Sequence, residues 1–134
     1  MATSKVEYLG DLRTKCTHLK SGKEILTDAP VDNNGKGESF SPTDLVATAY
    51  VSCMITIIGI YCNSNRISFE QGTAEVTKEM GSNPRRISKI TIYMDFSDNK
   101  WDAATQEKII REGEACPVAK SVDPSMELEF NYNF

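Results

Sequence analysis

Cysteine is the residue type here best suited to chemistry, and two of the four cysteines stand in informative settings. Cys53 falls in an apolar run, Tyr50-Val51-Ser52-Cys53-Met54, and Cys116 falls in Glu114-Ala115-Cys116-Pro117-Val118-Ala119-Lys120. A free cysteine most often serves as a small buried hydrophobe. Cys116 differs because the proline after it can open a helical turn, and free backbone N–H groups at such a start stabilise a thiolate. The chemistry on offer is nucleophilic attack, thiol–disulfide exchange and reversible oxidation. No cysteine has CxxC or CxxH spacing, so a zinc finger or ribbon is not supported. Cys62, nine residues past Cys53, lies about 180° further round a helix and reads as structural. Cys16 and His18, the sole histidine, share a strand face at i, i+2, but two ligands are too few for a metal. Neither a metal nor a cofactor is expected.

The elements that must position these thiols follow from periodicity. Residues 6–9, 12–19 and 23–27, separated by Gly10-Asp11 and Ser21-Gly22, predict an antiparallel meander. A loop rich in Asp, Asn, Gly and Pro follows over residues 28–40. Ser41-Pro42-Thr43-Asp44 announces a helix, with Ser41 as N-cap, Pro42 at the first helical position and Asp44 where a capping-box acid sits. That helix runs to about Asn63 and carries Cys53 at its middle. Residues 73–80 and 88–96 alternate as strands around the turn Gly81-Ser82-Asn83-Pro84, which predicts a hairpin. Residues 101–112 read as a second amphipathic helix, with Trp101 as packing and Gly113 as its C-cap. A short helical turn from Cys116 through Ser121 comes next, and residues 126–134 close the chain as a strand. This order defines one α+β domain over residues 1–134, with antiparallel sheets packed on a long buried helix.

Composition narrows the function classes. The chain has 134 residues, 40% hydrophobic and 25% charged, as an ordinary soluble domain does. A net charge of −4 argues against a nucleic-acid binder, which needs cations to neutralise phosphates. The N-terminal Met1-Ala2-Thr3-Ser4-Lys5 is no apolar signal segment, so four cysteines suggest a reducing cytoplasm rather than a disulfide framework. Residues 45–62 approach the roughly 20 needed to span a bilayer, but Thr48, Ser52 and Thr56 and the lack of basic flanks favour a core helix, with no membrane partner. So apolar a helix needs more cover than one small sheet supplies, and a second copy of the chain would provide it. A homodimer is expected.

The sequence also resembles the OsmC/Ohr family. Phe40-Ser41-Pro42-Thr43-Asp44-Leu45-Val46-Ala47-Thr48-Ala49-Tyr50-Val51-Ser52-Cys53 is similar to that family's first block: a small polar residue, Pro, an acid, an apolar helix and a cysteine. Ala115-Cys116-Pro117-Val118-Ala119 resembles its second block, and residues 126–132 its closing strand. The resemblance implies an intertwined dimer with two active sites at its interface. It also implies a thiol-dependent peroxidase, in which Cys53 is the peroxidatic nucleophile and Cys116 the resolving thiol. A thiolate attacks the O–O bond, an alcohol or water leaves, and the sulfenic acid condenses with the second thiol to a disulfide that an external dithiol reduces. Apolar surroundings favour organic over hydrogen peroxide but disfavour a thiolate, which calls for a nearby cation. The alternative implied by the same resemblance is a non-enzymatic dimer that binds a small ligand or senses redox state.

The chain departs from the family pattern at two activating positions. Thr43 stands directly after Pro42 where an acid is usual, and Asp44 comes one residue late. Ten residues of helix rise about 15 Å, so neither reaches Cys53 along a continuous helix. Asp44 reads better as a cap than as a site acid. For the activating arginine, the loop before Pro42 offers only Lys36, a poorer substitute, and the candidate is Arg13 on an early strand. Arg13 reads equally well as a solvated residue beside a turn.

Overall fold

Alternation between turn signals makes the first three strands. In the computed structural model, which describes residues 1–134, they are β1 (Ser4–Gly10), β2 (Arg13–His18) and β3 (Glu24–Asp28). They pair antiparallel in sequence order, as the predicted meander requires. Gly10, Asp11 and Leu12 all take positive φ at the first turn. These strands and the following loop make one unit, Met1–Val46. Its only buried residues are polar: Thr27, Asp28 and Ser41. Large apolar side chains remain open in the single chain, including Val6 at 61%, Tyr8 at 68% and Ile25 at 51% exposure.

Helix α1 (Pro42–Ser64) begins in that unit and continues through the second, Ala47–Phe134. Its start is a capping box. Ser41 Oγ accepts the Asp44 N–H at 3.0 Å, and the Asp44 carboxylate accepts the Ser41 N–H at 3.0 Å. The second unit adds β4 (Thr73–Gly81), β5 (Arg86–Asp95), α2 (Ala103–Glu114) and β6 (Glu127–Asn133). Asp102 caps α2 by accepting the Thr105 N–H at 2.8 Å.

The core lies in this second unit. Ala47, Tyr50, Val51, Met54, Ile58 and Cys62 recur at helical spacing on one side of α1. They share a cluster with Ile90, Ile92, Met94 and Phe96, with Ile109 of α2 and with Cys116. By length and composition α1 could cross a membrane, and this stripe packs one side of it inside the unit. A second cluster gathers Phe69, Phe96, Trp101 and Phe134, with Phe96 centroids 5.6, 5.6 and 6.1 Å from the other three. Trp101 is a packing residue, and its indole N–H donates to the Ser68 carbonyl at 2.8 Å.

Two features differ from the sequence reading. The second sheet, ordered β4-β5-β6, is mixed rather than wholly antiparallel, because β6 pairs parallel to β5. Helix α2 intervenes between β5 and β6, and a helical crossover returns the chain in the same direction. Gly113 is not the cap of α2 but lies inside it, and Ala115 caps. The glycine marks a close approach: a Cβ there would lie 2.9 Å from Cδ1 of Ile58 on α1.

Phe96→Ala removes the centre of the aromatic cluster and leaves a cavity in the core. It is expected to cost about 3–5 kcal/mol. Urea unfolding followed by circular dichroism checks this as a lowered midpoint at unchanged slope.

Candidate active site: a buried thiol pair

Three local structures converge on the two thiols. Cys53 sits at the flank of the buried stripe of α1, half-buried beside Met54. The approach of Gly113 to Ile58 and Met54 brings the end of α2 onto α1. Two residues beyond the end of α2, Cys116 is fully buried. Residues 117–121 form hydrogen-bonded turns rather than a helix, closed by Lys120 N–H to Cys116 O at 3.2 Å and Ser121 N–H to Val118 O at 2.9 Å. The thiols of Cys116 and Cys53 are hydrogen-bonded to each other, and neither is in a disulfide.

Opposing forces act on Cys116. Burial pushes its thiol up most strongly, and the backbone N–H groups of Ala119 and Val118, which bond its sulfur, pull the other way. These are the turn N–H groups that the Cys116-Pro117 pattern implies. The hydrogen bond to Cys53 and the Cys53 charge raise it further. Apart from the turn N–H groups, every influence on Cys116 favours its protonated thiol.

Two tyrosines and a glutamate complete the surroundings. Tyr50 lies one helical turn before Cys53 on the same side of α1 and is 1% exposed. Burial pushes its hydroxyl up to about 12, with further contributions from Cys116, Glu114 and Cys53. Tyr132 on β6 donates to Glu114 Oε1 at 3.0 Å. Burial, then the Glu114 charge and hydrogen bond, and then Tyr50 raise the Tyr132 hydroxyl above its ordinary value. Sequence reasoning did not single out these three. Their signal was present, since Tyr50 stands three residues before Cys53 and Glu114 two before Cys116.

The other expected residues fall elsewhere. Arg13 lies in the first unit, where its guanidinium forms a fork with Asp28, 2.7 Å from Nε to Oδ1 and 3.1 Å from Nη2 to Oδ2. Glu38 stands 3.5 Å from Nη2, and its own N–H donates to Asp28 Oδ2 at 3.1 Å. Arg13 is thus an ion-paired residue, not a freely solvated one. Thr43 shares a hydrogen bond with Ser41 Oγ at 3.2 Å, and Asp44 serves the helix cap. Cys62 is fully buried, and burial raises its thiol. Cys16 has a 3.8 Å contact with Thr14 Oγ1, and His18 Nδ1 lies 2.6 Å from Ser21 Oγ.

The fold is α+β, and two of its free cysteines, one on a long central helix, act on each other. The chain belongs to the OsmC-like family, whose model matches residues 35–131. A structure from Psychrobacter arcticus 273-4, described as an osmotic stress induced and detoxification response protein, is 50% identical. It superposes with a TM-score of 0.94 over 99% of this chain and 96% of its own. The organic hydroperoxide resistance protein OsmC of Legionella pneumophila shares the fold at 15% identity, with a TM-score of 0.75 over 100% and 98% of the two chains. A Vibrio cholerae organic hydroperoxide resistance protein, holding captopril in one of its active sites, shares it at 12% identity and a TM-score of 0.74 over 99% and 92%. No curated protein matches the sequence.

The fork between Arg13 and Asp28 generates a pH prediction. Asp28 is held below its ordinary 3.8, first by the Arg13 hydrogen bond, against the opposing effect of burial. A depressed carboxylate contributes stability that is fully present above its unfolded value and lost as pH falls through its folded value. The stability gap between wild type and Asp28→Asn is therefore expected to be open at neutral pH and to close below about pH 4. Thermal melts of both proteins across that range measure it.

Proposed function

We propose that this protein is a thiol-dependent peroxidase that reduces organic hydroperoxides, and hydrogen peroxide less well, in a stress or detoxification response. The observation that carries this reading is the hydrogen-bonded contact between two reduced thiols of unequal standing. Cys53, half-buried on α1, is the peroxidatic nucleophile, and the fully buried, protonated Cys116 is the resolving thiol. Cys53 attacks the distal peroxide oxygen as a thiolate, the O–O bond breaks, and an alcohol leaves after protonation. Cys116 then condenses with the sulfenic acid, releasing water and forming a disulfide that a dithiol reductant reopens by exchange. The apolar side chains around Cys53, including Met54 and Ile57, suit a substrate with an organic tail. The detoxification description of the Psychrobacter relative and the hydroperoxide-resistance descriptions of the more distant ones agree with this reading.

The protein would act as a cytoplasmic homodimer. The first unit buries no apolar side chain, and α1 leaves Val46 and Ile60 open, so a single chain exposes apolar surface that a second copy would cover. Arg13 is the cation proposed to support Cys53, and it would have to share its charge with Asp28 and Glu38. That shared charge, with Thr43 in place of an acid, is the observation that favours the second reading, a slower redox-sensing or ligand-binding dimer.

Turnover with cumene hydroperoxide and a dithiol reductant separates the two. Wild type is expected to consume peroxide repeatedly, and Cys53→Ser to lose activity by about 10³-fold or more, as removal of a nucleophile does. A wild-type protein that consumes at most one equivalent and then stops would leave only the sensing role.

A further inference from the structure

We propose that Glu114 is the proton acceptor of the resolving step, its carboxylate fixed by Tyr132 for that task. The inference rests on the thiol-pair reading above and adds the group that the pair itself lacks. Cys116 meets the Cys53 sulfenic acid as a buried, protonated thiol, and a thiol must lose its proton to be an effective nucleophile. Cys53 cannot take that proton once it has become a sulfenic acid.

The groups around the pair leave one base. Tyr50 from α1 and Tyr132 from β6 hold their protons more tightly than usual and can only donate. Among the groups acting on these two tyrosines, Glu114 is the one carboxylate. Arg111, one turn earlier on α2, and Lys120, beyond the turn, are exposed cations that cannot accept a proton.

The chain sets Glu114 beside Cys116 along the backbone. It is the last residue of α2, and two residues of chain span at most about 7 Å, so its backbone lies close to that of Cys116. Bonds from Ala115 N–H to Glu112 O and from Cys116 N–H to Gly113 O, both 3.3 Å, hold the intervening turn. Tyr132 binds Oε1, which leaves Oε2 to take the proton. The charges of Cys116, Glu114 and Cys53 all act on Tyr50.

The step balances. Glu114 takes the Cys116 proton, the Cys116 sulfur attacks the Cys53 sulfur, the S–S bond forms and the S–O bond breaks. The departing hydroxide recovers the proton from Glu114 and leaves as water, so the carboxylate is regenerated. The only oxidant required is the organic hydroperoxide that produced the sulfenic acid.

The sign of one substitution distinguishes this role from a merely electrostatic one. A fixed negative charge near Cys116 disfavours its thiolate, so removing that charge without other consequence would speed resolution. Removing a base slows it. Glu114→Gln keeps an oxygen to accept the Tyr132 hydroxyl, so the link between α2 and β6 survives.

The test follows sulfenic acid formation by dimedone trapping and disulfide formation by intact mass, in single turnovers of the full-length protein. In Glu114→Gln the ratio of the second rate to the first is expected to fall about tenfold or more at neutral pH. Its resolution rate should then climb with pH as hydroxide replaces the missing base, while wild type stays nearly flat. Glu114→Asp, which keeps a carboxylate, should retain more of the rate than Gln. A Gln variant that resolves as fast as wild type or faster overturns the proposal, as does an Asp variant no better than Gln. A parallel arm with diamide forms the same disulfide without peroxide, the diazene being reduced to a hydrazine. If wild type forms the disulfide with diamide but not with cumene hydroperoxide, and Gln slows it, the peroxidase reading fails and the Glu114 assignment stands.

Discussion

The close approach of α2 to α1 at Gly113 is the constraint on which the site depends. With no side chain at that position, the end of α2 can lie against Ile58 and Met54. A Cβ there would lie 2.9 Å from Ile58 Cδ1, so a larger residue requires the Ile58 side chain or the helices to shift. Cys116 follows three residues later, so the same contact that closes the core also delivers the second thiol to Cys53. Packing and chemistry are one arrangement here. Tyr50, Met54 and Ile58 are all core residues, and Tyr50 is also acted on by both thiols.

The electrostatics of the pair follow from that burial. Desolvation disfavours the Cys116 thiolate, and the turn after Cys116 offsets part of that with N–H groups aimed at sulfur. The Cys53 side chain adds to the burial, so Cys116 holds its proton more tightly than an ordinary thiol. Such a division suits a two-step cycle, in which one thiol must be ready first and the other only after a sulfenic acid exists. The second step calls for a base, and Glu114, bound by Tyr132, stands at the end of the same helix that carries Gly113.

Much of this was legible in the residues. The period of two in β4, β5 and β6, the capping box at Ser41 and the helical stripe of α1 all express local rules, and the structure follows them. Opposite burial of Cys62 and partial exposure of Cys53 likewise follow from nine residues of helical rotation. What the sequence concealed is tertiary. Gly113 has the local signature of a cap, and only the passing α1 reveals it as a packing residue. The parallel pairing of β6 depends on how α2 crosses the sheet, which no strand's own pattern records. Arg13 was recognisable as a candidate cation, yet its fork with Asp28 joins residues 15 positions apart and leaves no local trace. Tyr132 and Glu114, 18 residues apart, meet for the same kind of reason.

The central claim is that Cys53 and Cys116 form a single redox unit. Its most direct test is peptide mapping by mass spectrometry after one equivalent of cumene hydroperoxide, under non-reducing conditions. A Cys53–Cys116 disulfide, with Cys16 and Cys62 still reduced, is the predicted result. A bond from Cys53 to Cys62 or Cys16, or all four thiols left free, would contradict the account.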